Sequence, residues 1–222
     1  MPIDDALAQL GPSIKYPKIE PTSTSGNYIL LPENEYHKDL LVSKERQYLG
    51  KNWYQAHEEL AKENSLMLTI RQFVDFLNLL KSGKAYDENK NKIPDKESQL
   101  ILDNILTQRD PFRGEWLDAK FRKIDNKMYI ESINSETTVQ PLGDCLILNK
   151  MPRIDLDYWL ANANSRGLPP KNTPDGKLYY YFPKEGTVAG FGAYSGGVGL
   201  DCSGGPLVSG PGLGVRPVNI LK

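Results

Sequence analysis

A chain of 222 residues that is 39% hydrophobic has apolar material for one good core, or for one core and a small appendage. Its 27 basic and 28 acidic side chains leave a net charge of −1, without the basic footprint of a nucleic-acid binder, and no apolar run approaches the ~18 residues of a membrane span. Two cysteines, Cys145 and Cys202, cannot build a disulfide framework; one bridge and two free thiols both stay open.

The acidic start, MPIDDALAQL, lacks the basic and apolar regions of a signal peptide, so synthesis in the cytosol is expected. Residues 1–35 are rich in Pro, Ser and Thr around one β-like run, NYILL. They read as an extended arm that adds an edge strand, ahead of a globular domain over residues 36–222. Asn52 and Gln55 form a capping pattern before Trp53, Ala56 and Leu60, which share one helical face. Thr69 and Gln72 repeat that pattern before the stripe Ile70, Phe73, Leu77 and Leu80, and Gly83 stands where the helix should stop.

Asp87, Asn89 and Asn91 alternate as in a calcium loop. Lys92 holds the position that needs glycine, however, and Glu97 comes one residue early, so the stretch reads as a solvated loop. A shorter third helix runs to Leu106 behind Asp95 as its cap. Two strands flank a turn at Asp125–Asn126. A short helix follows the capping acids Asp155 and Asp157 and ends at Gly167, and KLYYYFP is an aromatic strand. Beyond Pro183 no helical period survives.

Catalytic chemistry is sparse. His37 and His57 are the only imidazoles, and His57 lies beside the apolar face of the first helix, where it reads as a packed or exposed side chain. No H-x-x-x-H or C-x-x-C spacing supports zinc. GPGLGV leaves too little chain after Gly214 for the helix that a phosphate cradle needs. No enzyme, metal or cofactor is expected.

The window from Gly190 to Gly214 is the informative one. It holds ten of the 19 glycines and one charged residue, Asp201. Lys, Glu, Gln, Met and Trp, 46 of the 222 residues, are absent from it, and these five have no codon ending in a pyrimidine. Gly, Ser, Asp, Tyr, Val and Leu, which crowd it, all do. The return to LGVRPV argues for a closing strand in which Arg216 is buried and paired, since an unpaired buried guanidinium is prohibitively costly.

Together with NWYQAHEELAKENSLMLTIRQFVDFL, FRGEWLDAKF, PLGDCL, IDLDYWLANANSRGLP and KLYYYFP, the FGAYSG…LDC…GP…LGVRPV ending resembles the variable proteins of archaeal diversity-generating retroelements. Their C-type-lectin-like fold also resembles that of formylglycine-generating enzymes. The resemblance covers roughly residues 36–222. It implies an α+β, C-type-lectin-like fold, with two main helices packed on a small antiparallel sheet and long irregular C-terminal loops. It also implies a ligand-binding surface diversified over about residues 188–214.

In that reading Phe191, Ala193, Ser195, Leu200, Cys202, Pro206 and Leu213 face inward or hold turns, Cys202 as a buried hydrophobe with a bridge to Cys145 as the alternative. The variable positions facing solvent are Gly190, Gly192, Tyr194, Gly196, Gly197, Gly199, Asp201, Ser203, Gly204, Gly205, Leu207, Val208 and Gly210. Most of these glycines should then accept side chains, and Tyr194 should be the best single contact. The partner is an unknown protein or surface ligand, met on a virion or cell surface. A formylglycine-generating-type enzyme and a structural fibre module are the alternatives.

Overall fold

The computed structural model describes residues 26–134, 138–147 and 152–221. Helices start where local chemistry satisfies their free N–H groups. α1 (Trp53–Lys62) begins with a reciprocal capping box: the Gln55 amide donates to Asn52 Oδ1 at 2.9 Å and the Asn52 amide to Gln55 Oε1 at 3.1 Å. Thr69 and Gln72 do the same for α2 (Ile70–Ser82), which stops at Gly83 in the left-handed conformation, φ 65°. α3 (Asp95–Leu106) departs from expectation. Pro94 holds the cap position, and Asp95 is the first helical residue, pairing with Lys92 at 3.0 Å. α4 (Leu156–Asn162) is capped by Asp155, which accepts the Tyr158 amide, but it ends before Gly167. Asn164 Oδ1 takes the amides of Arg166 and Leu168 and turns the chain. A Cβ on Gly167 would stand 2.5 Å from the Ile70 carbonyl carbon, so this glycine lets the loop touch the start of α2.

One sheet contains β1 (Tyr28–Leu31), β2 (Leu40–Ser43), β3 (Leu66–Met67), β4 (Tyr86–Asp87) and β13 (Pro217–Ile220), in the order β3-β13-β2-β1-β4. β1 is therefore interior rather than an edge strand. Ile29 and Leu31 are buried, so the sheet begins inside the stretch expected to be an arm. The expected solvated loop after β4 is also ordered from within: Asp87 is fully buried and accepts the Asn89 and Asn91 amides at 2.9 and 2.8 Å.

The larger sheet has β5 (Arg113–Ile124), β6 (Lys127–Ser132), β7 (Thr138–Pro141), β8 (Arg153–Ile154), β9 (Leu178–Tyr181), β10 (Val188–Tyr194) and β11 (Gly197–Gly204). Its order is β7-β6-β5-β10-β11-β9-β8, with β12 (Leu213–Gly214) beside β5. Asp125 and Asn126, both at positive φ, make the expected tight turn between β5 and β6. The architecture is thus mixed α/β with four helices and two antiparallel-rich sheets among the described residues, more sheet than two helices on a small sheet would give.

Two apolar clusters form. The main one packs α2, through Phe73, Phe76 and Leu77, against Phe121, Trp159 and Phe191. The smaller one seats α1, through Trp53, Ala56 and Leu60, on Phe112, Trp116, Val188, Leu213 and Val215. Each large side chain so buried contributes about 1.5–3 kcal/mol. No helix of the described residues is long and apolar enough to cross a membrane.

Candidate functional site

β10 and β11 form a hairpin in which Tyr194 faces Gly197, Gly192 faces Gly199 and Gly190 faces Asp201. Pleating sends Phe191, Ala193, Leu200 and Cys202 inward, and all four are buried. Ser195 sits exposed in the hairpin turn. The outer face is where the expected variable residues lie, but it is not uniformly open. Gly190, Gly192, Gly199 and Asp201, expected to face solvent, are buried.

The reason is that aromatic rings lie across the glycines. A Cβ at Gly192 would be 2.9 Å from Phe112 Cε2, and one at Gly190 would be 3.3 Å from the Glu115 carbonyl and 3.5 Å from the Trp116 ring. At the hairpin tip the Tyr179 side chain takes this part. A Cβ at Gly199 would meet the Tyr179 carbonyl oxygen at 2.9 Å, and one at Gly197 would meet the Tyr179 ring at 2.7 Å. Gly197 also has φ +147°, which side-chain-bearing residues rarely adopt. The glycines of the segment are therefore not interchangeable, because several are seats for rings. Asp201 does not present its charge outward either; its Oδ1 accepts the Ser203 amide at 2.7 Å and hydroxyl at 2.8 Å.

The rings at the tip form a cluster that the sequence reading did not assemble. Tyr179 and Tyr194 are 5.8 Å apart between centroids, Tyr179 and Tyr181 6.4 Å, and the Tyr181 and Tyr194 hydroxyl oxygens lie 3.4 Å apart. The Arg153 guanidinium stands 4.5 Å over the Tyr179 ring and donates to its hydroxyl. Burial raises the Tyr181 and Tyr194 phenols above their ordinary value, so both remain hydroxyls near neutral pH. The aromatic run in KLYYYFP was the available signal; its register against β11 was not.

Ser203, Gly204, Gly205, Leu207, Val208 and Gly210 occupy the end of β11 and the following loop. Here the backbone is held by main-chain bonds. The Trp53 amide, a free donor at the start of α1, gives its hydrogen to the Pro206 carbonyl at 3.1 Å, and the Gly114 amide gives its own to the Gly212 carbonyl at 2.9 Å. Val208 N donates to Gly205 O and Leu213 N to Gly210 O. Of the side chains at these six positions, only the Ser203 hydroxyl, bonded to Asp201, and Val208, packed against the smaller apolar cluster, help to hold the loop. Leu207 is 73% exposed, and a Cβ at Gly204 would make only ordinary contacts.

Beneath this surface lies a buried charge network. Glu115 accepts from Arg113 at 2.8 Å and from Arg216 at 3.1 Å, and Arg216 Nη1 also donates to the Ser43 and Lys44 carbonyls. Arg46 Nη1 donates to the carbonyls of Gly114 and Gly212 at 2.7 and 2.6 Å, tying β5 to the loop. Burial opposes ionisation of Glu115, but the guanidiniums of Arg113, Arg216 and Arg46 outweigh it and hold the carboxyl at about 2. Burial pulls Arg46 down to about 9, still charged at neutral pH. The sequence pointed to Arg216; Arg46, Arg113 and Glu115 were not singled out.

Elsewhere, His57 packs edge-on against Trp53 at 4.4 Å, with Nε2 3.3 Å from Asp118 Oδ1 at ion-pair distance but without hydrogen-bond alignment. Ser132 donates to the same carboxylate, so the acid lies between histidine and serine, and no nucleophile–base pair results. Cys145 and Cys202 are both free and buried; burial pushes Cys145 up to about 11 and Cys202 well above its ordinary value. Among the described residues no group of three or more His, Cys, Asp and Glu could hold a metal ion. The cleft between Trp116, Gly190, Asp201, Gly204 and Val208 has a volume of only about 10 Å³, roughly one water. A wider one of about 500 Å³ adjoins the tip, between Leu106, Leu156, Lys177, Gly197 and Val198, and none of the three clustered tyrosines lines it. No protein-family model, curated protein or solved structure matches the chain.

Proposed function

We propose that this chain is a ligand-binding display protein with a C-type-lectin-like fold, the variable protein of a diversity-generating retroelement. Its exposed C-terminal positions are rewritten between copies while the framework is kept. The observation that carries the reading is the loop from Gly204 to Gly212, whose Pro206 and Gly212 carbonyls accept main-chain hydrogen bonds from α1 and β5 while Leu207 stands exposed. A loop anchored through its backbone depends less on the side chains it bears. The same stretch lacks every amino acid whose codons cannot end in a pyrimidine.

Within the segment the burial pattern divides the labour. Tyr194, Ser203, Gly204, Gly205, Leu207, Val208 and Gly210 are the positions free to vary, whereas Gly190, Gly192, Gly196, Gly197, Gly199 and Asp201 serve the scaffold in this copy, a Cβ at Gly196 meeting the Tyr194 ring at 2.7 Å. The ligand is a protein or another surface feature, met on a virion or a cell surface. A formylglycine-generating-type enzyme gains little from the two cysteines, which are buried with their thiols held protonated.

The coding DNA tests the reading. Pyrimidine-ending codons are expected at the free positions, with a nearby near-copy of the segment that differs only at adenines. Codons ending in purines at these positions, with no such copy, would remove the basis for diversification.

A further inference from the structure

Three side chains outside the glycine-rich window stand on its outer face. Tyr179 and Tyr181 come from β9, Arg153 from β8, and they meet Tyr194 at the tip of the β10–β11 hairpin. We propose that Tyr179, Tyr181 and Arg153 form a constant anchor of the binding surface, used whatever occupies the neighbouring free positions, and that the ligand they receive is the surface of a folded protein. The inference rests on the display reading above.

The anchor is built and not incidental. Glycine at 197 and 199 leaves the space over which the Tyr179 side chain lies, and Arg153 stacks on that ring. Tyr179 and Tyr181 are only half-buried, and Arg153 is exposed. Rigid phenols lose little conformational entropy on binding and offer both apolar area and a hydroxyl, which is why tyrosine dominates adaptable protein-binding surfaces. This copy needs such a base. Gly196, Gly204, Gly205 and Gly210 offer no side-chain contact, so binding energy must be concentrated in a few aromatic or arginine residues.

Shape selects the class of ligand. Small molecules are enclosed by pockets of roughly 300–1,000 Å³, whereas the cleft on this face measures about 10 Å³ and the wider one is lined by none of the three tyrosines. From Gly197 to Gly204 the strand extends about 23 Å at ~3.3 Å per residue. A standard protein interface of ~800 Å² per partner covers tip and loop in one footprint.

The test is a library of the full chain randomised at Tyr194, Ser203, Gly204, Gly205, Leu207 and Val208 and selected on lysozyme as the probe. Tyr179→Leu, Tyr181→Leu and Arg153→Ala are then placed in each binder, with melting temperature as the control for folding. The anchor predicts that most binders weaken by about tenfold or more on loss of either tyrosine. Should the tyrosine variants melt early, exposed Arg153 still reports, with a loss of about threefold or more expected. Binders indifferent to all three substitutions would overturn the anchor and leave the display reading standing. A library that yields no binder at all would sink the display reading, and the anchor with it. Tyr179-dependent binding of the parent chain to cellohexaose would replace the protein ligand by a sugar.

Discussion

Arg216 and Glu115 stand 101 residues apart in the chain and meet as a buried ion pair, Nε to Oε2 at 3.1 Å. The pair joins the strand β13 region to β5, and so one sheet to the other. Arg216→Ala leaves Glu115 with one fewer partner and strips the Ser43 and Lys44 carbonyls of their donor. Breaking a buried pair of this kind costs about 3–5 kcal/mol, so a large fall in melting temperature is expected. An unchanged melt would show that the closing strand does not depend on it.

The pH dependence near neutrality should carry the signature of His37. Its Nε2 lies 3.3 Å from Asp75 Oδ2, and Nδ1 is 2.8 Å from the Lys38 carbonyl. Burial pulls the imidazole down, but the Asp75 carboxylate and the Lys38 carbonyl outweigh it, and the net shift is upward from 6.5. A raised folded-state value means that the stabilisation is complete below about pH 6.5 and is lost as pH rises through the folded value. Melting temperature should therefore decline across that window, and His37→Asn should flatten the decline. Parallel profiles for the two proteins would count against the pairing.

Both thiols should resist modification in the folded protein. Cys145 and Cys202 are at most 2% exposed, and a thiol kept protonated is a poor nucleophile. A thiol-reactive reagent followed by mass measurement should add nothing under native conditions and two labels after denaturation. Rapid native labelling of Cys202 would contradict its place under the hairpin.

Glycines of the same segment should differ sharply. Gly204→Ser meets only ordinary contacts, the Val188 carbonyl oxygen at 3.4 Å the nearest, and should change stability by no more than about 0.5 kcal/mol. Gly197→Ser forces a side chain onto φ +147° and into the Tyr179 ring, with an expected loss of about 1–3 kcal/mol. Thermal melts of the two variants side by side decide the matter. Equal behaviour would mean that the rings do not sit on these glycines as described.

Features set by a few neighbouring residues were legible in the sequence. Two capping boxes, the Asp125–Asn126 turn and the left-handed stop at Gly83 each follow from chemistry within four residues. Failures came from distant partners. NYILL looks like any short apolar run until β2 and β4 flank it, and nothing near Gly199 announces that Tyr179 will lie against it. Alternation along β10 was readable and put Phe191 and Ala193 on one face and Gly190 and Gly192 on the other, but all four are buried. What it could not supply was the Phe112 and Trp116 rings lying across the second face. The buried charges followed the same rule: Arg216 stood out in an uncharged stretch, whereas Arg113 and Glu115 were lost among other charged residues.

The position of β13 between β2 and β3 places the proposed variable residues upstream of residues that join the two sheets. A frameshift or premature stop anywhere from Tyr194 to Gly210 deletes Arg216 and an interior strand of the first sheet together. Such a chain would leave Glu115 short of charge, open the edges of β2 and β3, and become a substrate for proteolysis. On the display reading proposed above, errors in the segment would thereby be screened by folding itself: only copies read through in frame would acquire the strand between β2 and β3.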